Sequence, residues 1–325
     1  MSRRGATGPS PSTEASATLA SGDGSPAAGT TRALVTGATG FVGSRLAASL
    51  AHSGASVRCL VREPARAKPL EQLGCEIRRG DVSEAESLRG AGEDIDVAYF
   101  LVHAMAGGAG YRERELQGAR NFAQMVAREG VTRVVYLGGL GDPSVSTHLQ
   151  SRHETALALA EHGPPLTYFR AAMIVGSRSE SYRTLRHLVK RLPVMIAPSW
   201  LRKDTQPIGI DDVVEYLARA PAVAASTGRE VQIGGPDVLT YAEMLDRMAL
   251  AMGMRPRPKL PVPLITPRLS SLWLGLVTPV DTNVARPLVE GLMTDTVVTD
   301  PAGAEPFGIA PAAFDETLAR ALAEE

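Results

Sequence analysis

A short apolar segment, a glycine-rich turn and an amphipathic segment follow one another near the start of the chain. Residues 33–36 have the composition of a buried strand and lead directly into the turn. The turn contains Gly37, Gly40 and Gly43. Val42, Leu46 and Leu50 then recur at helical spacing until Gly54. Glycine permits a close approach to the backbone, and the start of a helix offers unpaired N–H groups to an anion. This order is therefore typical of a site for the pyrophosphate of a dinucleotide.

The same alternation of strand and helix continues to about residue 176. Apolar segments of strand type lie at 55–62, 74–81, 95–103, 131–137 and 166–176. Residues 111–129 and 151–162 have helical patterns, and Gly130 ends the first of these helices. Strands that alternate with helices and are apolar almost throughout form a parallel sheet covered on both faces. We therefore predict an α/β fold with a Rossmann-type doubly wound sheet, whose ligand site lies at the carboxyl ends of the strands.

The pattern loosens after residue 176. A short strand running into a helix is predicted at 207–214, and another strand at 230–235. Thr240 and Glu243 have the spacing of a capping box for a helix over 241–252. Prolines are frequent from 255 to 287, where periodicity is weak.

Three regions are predicted from these patterns. Residues 1–31 are rich in small and polar residues and cannot bury enough apolar surface to offset chain entropy, so we predict a disordered tail. Residues 32–250 are predicted to form the Rossmann domain, with 176–210 also contributing to a substrate lobe. Residues 251–325 are predicted to form the smaller C-terminal substrate lobe.

Composition and charge argue against several classes of protein. The formal net charge of −1 gives no overall positive field that would hold a nucleic acid. The histidines have no ligand spacing with a carboxylate, so we predict no metal. Cys59 and Cys75 are predicted to be core thiols, and this cysteine usage favours a cytoplasmic location. The apolar run at 272–277 is far below the ~20 residues needed to span a bilayer.

Several motifs together resemble those of a known superfamily. Residues 36–43 read TGATGFVG, and further motifs lie at 80–82, 101–103, 207–213 and 234–241. Over roughly 32–250 the chain is similar to extended and atypical short-chain dehydrogenases/reductases, which include proteins of the NAD-dependent epimerase/dehydratase type. The segments 136–141 and 148–152 are most similar to the atypical NAD(P)H-binding branch, which includes quinone-pathway and respiratory complex I accessory proteins.

The resemblance implies NAD(P)H as cofactor and assigns residues to it. The backbone around Thr39, Phe41 and Val42, within the glycine turn, would hold the pyrophosphate. The adenosine half would contact Asp81 through the adenine amino group, Val82 through the ring, and also Val102 and His103. Arg62 stands where NAD-preferring relatives have an acidic residue, and a guanidinium there matches a 2′-phosphate. We therefore favour NADP(H) over NAD(H), although Glu63 beside it argues for the opposite preference.

The catalytic part of the family pattern is absent. Active members use a Tyr and a Lys four residues apart on a helix, with a Ser at the end of the preceding strand. The corresponding positions here are His148 and Arg152, and the Ser position falls at Gly138 and Gly139. His148 can exchange a proton near neutral pH, and Arg152 can bind cofactor ribose or an anionic substrate. A structural or purely binding role for this pair is the alternative.

Residues 251–280 combine apolar side chains with basic residues and contain no acidic residue. They are interpreted either as an apolar substrate pocket or peripheral membrane-facing edge with a basic rim, or as an ordinary lobe whose basic side chains lie over apolar surface.

Two functions are compatible with these features. The first is an NADPH-dependent oxidoreductase or isomerase of a small apolar carbonyl, enone or quinone-like compound. The alternative is a non-catalytic NAD(P)H-binding redox sensor or an assembly or accessory protein of a membrane complex.

Overall fold

A parallel sheet of seven strands organises the molecule, in a computed structural model that describes residues 30–103, 110–261 and 292–325. The strands in chain order are β1 (Arg32–Thr36), β2 (Ser56–Val61), β3 (Glu76–Arg79), β4 (Val97–Phe100), β5 (Arg133–Gly139), β6 (Leu166–Ala171), β7 (Ile174–Val175), β8 (Met195–Ala197), β9 (Asp204–Thr205), β10 (Ile208–Gly209), β11 (Glu230–Ile233), β12 (Leu239–Thr240) and β13 (Lys259–Pro261). The central sheet has the order β3-β2-β1-β4-β5-β6-β11, and every neighbouring pair in it is parallel. The strand order reverses between β1 and β4, which confirms the predicted doubly wound Rossmann-type fold.

Helices cover both faces of this sheet and build the adjoining lobe. They are α1 (Phe41–His52), α2 (Lys68–Gln72), α3 (Tyr111–Arg128), α4 (Thr147–His162), α5 (Glu180–Arg191), α6 (Ile210–Arg219), α7 (Tyr241–Ala251) and α8 (Phe314–Ala323). A first core lies between the sheet and helices α1 and α6, and a second lies between the opposite face and helices α3 and α4. Along β1, Ala33 and Val35 face the first core while Leu34 faces the second, which is why this strand is apolar at successive positions.

A third core holds the lobe together. It joins helices α5, α7 and α8 through buried side chains such as Leu185, Met244 and Leu318. The predicted capping box of α7 is confirmed: the Thr240 hydroxyl accepts from the Glu243 amide at 3.2 Å, and the Glu243 carboxylate accepts from the Thr240 amide at 2.7 Å.

Several predicted strands are shorter in the structure, such as β4, predicted over 95–103 and observed over Val97–Phe100. Two further differences change the course of the chain. Helix α4 begins at Thr147 rather than 151, because Ser146 takes the extended N-cap conformation and places His148 in the first helical turn. The strand predicted over 166–176 is interrupted after Ala171, since Ile174 and Val175 leave the central sheet and pair with β10. This break turns the chain away from the sheet and towards the lobe.

The described residues cover only part of the predicted tail and of the predicted C-terminal lobe. Residues 1–29 of the predicted disordered tail lie outside the described part, as do residues 262–280 of the predicted membrane-facing edge. Cys59 and Cys75 are free and buried, as predicted. Phe307, from the segment assigned to the C-terminal lobe, packs in the first core beside Phe169 and Tyr216. The boundary at residue 250 stays a prediction.

Candidate active site

The glycine turn between β1 and α1 leaves no room for side chains. Gly37 has φ +67°, and a Cβ there would lie 2.5 Å from the Leu101 carbonyl oxygen. A Cβ at Gly43 would lie 2.3 Å from the Gly37 carbonyl oxygen. Helix α1 follows Gly40, has no acidic residue in its first turn, and has first-turn N–H groups without an intrahelical acceptor. Bare backbone beside free N–H groups at a positive helix end fits a pyrophosphate.

The ends of β2 and β3 carry the residues predicted for the adenosine half. Arg62 is exposed directly after β2, and Arg66 lies in the short turn that follows, 3.9 Å from the Glu63 carboxylate. Asp81 accepts hydrogen bonds at Oδ1 from the Ser83 amide at 2.9 Å and the Ser83 hydroxyl at 2.8 Å. These bonds fix the carboxylate of Asp81 after β3.

Helix α3 holds the next predicted residue, Val82, in place. A Cβ at Gly118 would come within 2.9 Å of the Val82 side chain, so glycine lets α3 approach it closely. The Asn121 side-chain amide donates to the Val82 carbonyl at 2.9 Å. Val82 is thereby fixed as an apolar surface next to Asp81.

One cavity of about 1050 Å³ extends from the glycine turn to the lobe. The sequence-predicted residues that line it are Gly37, Thr39, Gly40, Phe41, Val42, Gly43, Arg62, Asp81, Val82, Val102, His103, His148 and Arg152. Every predicted cofactor and catalytic residue therefore faces the same space, although their roles stay predictions.

The lobe end of the cavity is mainly apolar, and sequence reasoning did not find its residues. Met173, Leu185, Leu188, Leu201 and Leu245 line it. Their pattern in the sequence is that of ordinary core positions, so no signal separated them from the rest of the core.

Polar hydroxyls interrupt this apolar wall at one point. Thr296 donates to the Thr205 hydroxyl at 2.8 Å, and Tyr241, packed on Trp200, lies beside both threonines. Tyr241 and Thr296 also line the cavity, so an apolar ligand would meet hydroxyl groups here.

Arg152 is bound on several sides by protein groups. Its guanidinium donates to the Leu137 carbonyl oxygen and lies 3.4 Å from Glu115 Oε1 and 3.2 Å from His103 Nδ1. The guanidinium carbon also lies 4.9 Å from the centre of the Tyr136 ring. Arg152 therefore joins α4 to β5 and α3, and only 12% of its side chain is exposed.

Glu115 is the buried acid at the centre of this group. Its side chain is fully buried, accepts from the Ser151 hydroxyl at 2.9 Å, and lies 3.2 Å from His103 Nδ1. Burial alone would raise the pKa of Glu115. The hydrogen bond with His103 and the charge of Arg152 outweigh that effect and hold the pKa at about 2. Sequence reasoning missed Glu115 because it follows other charged residues on α3 and has no motif around it.

His148 lies close to His103, Glu115 and Arg152 but does not share the hydrogen bonds that connect them. Its ring lies 5.1 Å from the His103 ring, and its Nδ1 is buried without a hydrogen-bond partner among the described residues. Burial, and then the charges of His103 and Arg152, lower the pKa of His148 to about 3. The ring is therefore neutral at physiological pH.

The Tyr168 ring of the neighbouring strand β6 occupies the space beside Gly138, where the resemblance leads one to expect a serine. A Cβ at Gly138 would lie 2.6 Å from Tyr168 Cε2 and 2.8 Å from its hydroxyl oxygen. The Tyr168 ring also stacks on Tyr136, with 5.4 Å between ring centres. The glycine at 138 is thus a consequence of how β6 packs against β5.

Comparisons with known proteins agree with this geometry. Residues 37–171 match a family model described as NAD(P)H-binding. Within these bounds the chain is similar to NAD(P)H-binding domains. The match begins at the first glycine of the turn and ends with β6, so it covers the elements that build the cofactor end of the cavity.

Two curated relatives overlap the chain to different extents. The chain is 28% identical over 295 residues to mitochondrial NADH dehydrogenase (ubiquinone) 1 alpha subcomplex subunit 9 of Arabidopsis thaliana, covering 82% of this chain and 71% of that protein. It is 29% identical over 134 residues to sterol demethylase protein B of Methylococcus capsulatus, covering 40% of this chain and 41% of that protein.

A solved structure shares the fold. An NADPH-dependent quinone oxidoreductase from Escherichia coli, complexed with NADPH, superposes with a TM-score of 0.69 at 18% identity, over 89% of this chain and 98% of that chain. At this identity the likeness is one of fold.

Two kinds of feature are absent from the described residues. None of the helices in the described ranges is both long and apolar enough to cross a membrane. The described histidines, cysteines and carboxylates form no group of three or more that could hold a metal ion.

Proposed function

We propose that the protein is an NADPH-dependent oxidoreductase, or an isomerase using the same cofactor, that acts on a small apolar carbonyl, enone or quinone-like compound. The observation that carries this proposal is the continuity of the cavity. It begins at bare backbone suited to a pyrophosphate and ends among apolar side chains of the lobe. When bound, NADPH supplies a hydride.

The residues of the chain would divide the binding between them. The turn from Gly37 to Gly43 and the start of α1 bind the pyrophosphate, and Arg62 and Arg66 bind the 2′-phosphate. The apolar wall of the lobe excludes water from the substrate and selects apolar compounds. The Tyr241 hydroxyl supplies a hydrogen bond to a substrate oxygen.

Turnover with a simple acceptor tests this function. Purified protein, NADPH and 1,4-naphthoquinone or 2-cyclohexenone are expected to give protein-dependent loss of NADPH absorbance. Thr184 is half-buried on α5 and lines the lobe end of the cavity, so Thr184→Trp should fill space and lower turnover about tenfold or more while NADPH still binds.

The matched control lies on the same helix. Lys190 is exposed on α5 and does not line the cavity, so Lys190→Trp should leave turnover unchanged. NADPH binding without oxidation by a wide panel of carbonyls, enones and quinones would contradict a catalytic function.

Such a result would favour the second candidate, a non-catalytic NAD(P)H-binding sensor or accessory protein of a membrane complex. Two observations support this alternative. The family's Ser, Tyr and Lys correspond here to Gly138, His148 and Arg152, and one relative is named as a subunit of a mitochondrial NADH dehydrogenase (ubiquinone).

A further inference from the structure

We propose that His103, oriented by the buried carboxylate of Glu115, is the residue that gives a proton to the substrate oxygen. This inference rests on the proposed function, since it concerns the reduction of a carbonyl in the same cavity. It assigns to His103 a catalytic role and to Glu115 a positioning role. The resemblance instead placed His103 beside the adenosine half of the cofactor and pointed to His148 as the proton donor, but His103 lies against Glu115, Arg152 and His148.

The geometry around His103 is that of an oriented imidazole. Its Nδ1 lies 3.2 Å from Oε1 of Glu115, whose side chain is fully buried. About 30% of the His103 side chain is exposed, and His103 lines the cavity. With Nδ1 directed at the carboxylate, Nε2 is the ring nitrogen left to meet a ligand. A carboxylate that fixes one nitrogen of a histidine and stabilises the protonated ring is the arrangement that proton-transfer sites require.

Among the described residues, three side chains set the charge around His103. Glu115 on α3 favours its protonated form, while Arg152 on α4 opposes it. The His148 ring, also on α4, lies 5.1 Å away. Burial and then Arg152 lower the pKa of His103, and Glu115 is the group that counteracts this lowering. Removing the carboxylate must therefore make His103 harder to protonate.

His148 lacks the partner that such a role needs. Its buried Nδ1 has no hydrogen-bond partner among the described residues. A proton on this nitrogen would therefore lack a hydrogen-bond acceptor, and burying its charge would be unfavourable. The charges of His103 and Arg152 also lower its pKa, and they outweigh the opposite effect of Glu115. Of the two histidines, His103 alone has a carboxylate at hydrogen-bonding distance in the described structure.

The proton and electron balance of the step is simple. The carbonyl carbon gains the hydride, and the carbonyl oxygen takes the proton from His103 Nε2, so that an alcohol forms and the cofactor is oxidised. His103 is left neutral with its remaining proton on Nδ1, directed at Glu115. Water then restores the proton at Nε2.

The position of the proton on neutral His103 decides between two arrangements. Nδ1 either donates to Glu115 Oε1 or accepts from Arg152 Nη1, which also lies 3.2 Å away. Our proposal requires the first arrangement. Two-dimensional ¹H–¹⁵N NMR of the imidazole nitrogens distinguishes them, because the protonated nitrogen has its own chemical shift. His103→Asn and His148→Asn assign the signals.

We expect the neutral ring of His103 in the full-length protein to carry its proton on Nδ1. In Glu115→Gln its pKa should move to lower values and the proton should shift to Nε2. The matched control is Glu129→Gln, because Glu129 is also buried but binds the amides of Gly90 and Gly92 outside the cavity. That control should leave the signals of His103 unchanged.

A wild-type ring protonated on Nε2 would overturn the proposal, even if Glu115→Gln failed to fold. With a simple ketone such as cyclohexanone as acceptor, His103→Asn should lower turnover about a hundredfold, and more than His148→Asn does. The reverse ranking would also overturn the proposal. As pH is raised, turnover by Glu115→Gln should begin to fall at a lower pH than turnover by the wild-type protein.

Failure of the proposed function has a different signature. It would be an absence of NADPH binding or oxidation by the wild-type protein, with the NMR signals of His103 still those of a ring paired with Glu115.

Discussion

At the scale of single residues, His148 illustrates how a buried ring couples pH to stability. Its pKa in the folded protein is about 3, against an ordinary value of 6.5, chiefly because burial disfavours the charged ring. As pH falls below about 6.5, the unfolded chain takes up this proton before the folded protein does. The contribution of the neutral ring to stability is thus complete above pH 6.5 and is lost as pH falls towards 3.

Replacing this ring should flatten the pH dependence of stability. We expect His148→Gln to remove a loss on the order of 1–2 kcal/mol that the wild-type protein suffers between pH 7 and pH 5. Urea unfolding at both pH values measures this difference. Glu115 does not contribute to this difference. Because its pKa is lowered to about 2, the stability that its carboxylate provides is lost only as pH falls from about 4.5 towards 2. An equal loss in variant and wild type would contradict the prediction.

At the scale of elements, the parts of the cofactor end were predictable because each is local in the chain. The strand, the three glycines and the start of α1 follow one another within twelve residues, and the resemblance then located Asp81 and Arg62 after the next strands. The start of α4 was missed because its first turn buries one large apolar side chain, Leu149. Glu115 and the wall of the lobe depend on contacts between elements far apart in sequence, which periodicity does not describe.

The turn after β2 is the element on which the choice of cofactor depends. Arg62 and Arg66 both line the cavity there, and Arg62 has no hydrogen bond or ion pair in the described structure. We expect NADPH to raise the melting temperature more than NADH at equal concentration. Arg62→Ala and Arg66→Ala should each weaken NADPH binding about tenfold and change NADH binding little.

Arg89 provides the control for these two substitutions. It is exposed, pairs with Glu86 at 2.8 Å and lies outside the cavity, so Arg89→Ala removes the same charge without affecting either cofactor. Equal responses of the wild-type protein to NADH and NADPH would contradict the preference for NADP(H).

At the scale of the whole molecule, the C-terminal segment ties the lobe to the sheet. Phe307 lies 5.4 Å from Phe169 on β6 and 5.3 Å from Tyr216 on α6, measured between ring centres. At the other end of α8, Glu324 binds Arg45 of α1 and accepts from the Ser177 hydroxyl at 2.6 Å. These contacts join regions that sequence patterns divided at residue 250.

The aromatic contact should therefore stabilise both regions together. We expect Phe307→Ala to lower the free energy of unfolding by about 3–5 kcal/mol, since it leaves a cavity among buried rings. Unfolding followed by near- and far-ultraviolet circular dichroism should remain a single transition at a lower urea concentration. Leu250→Ala, at a side chain that is 61% exposed, is the control and should change stability little. Two separate transitions in the wild-type protein would contradict the coupling.

The packing of Tyr168 over Gly138 determines how a serine could be introduced at this position. A serine at 138 would have its Cβ 2.6 Å from the ring, so this substitution would be harmful on its own, whatever stood at 148 and 152. A smaller residue at 168 would have to come first, and it would also remove the stacking on Tyr136. A laboratory selection for ordinary alcohol dehydrogenase activity should therefore begin with changes in β6, before any change on α4.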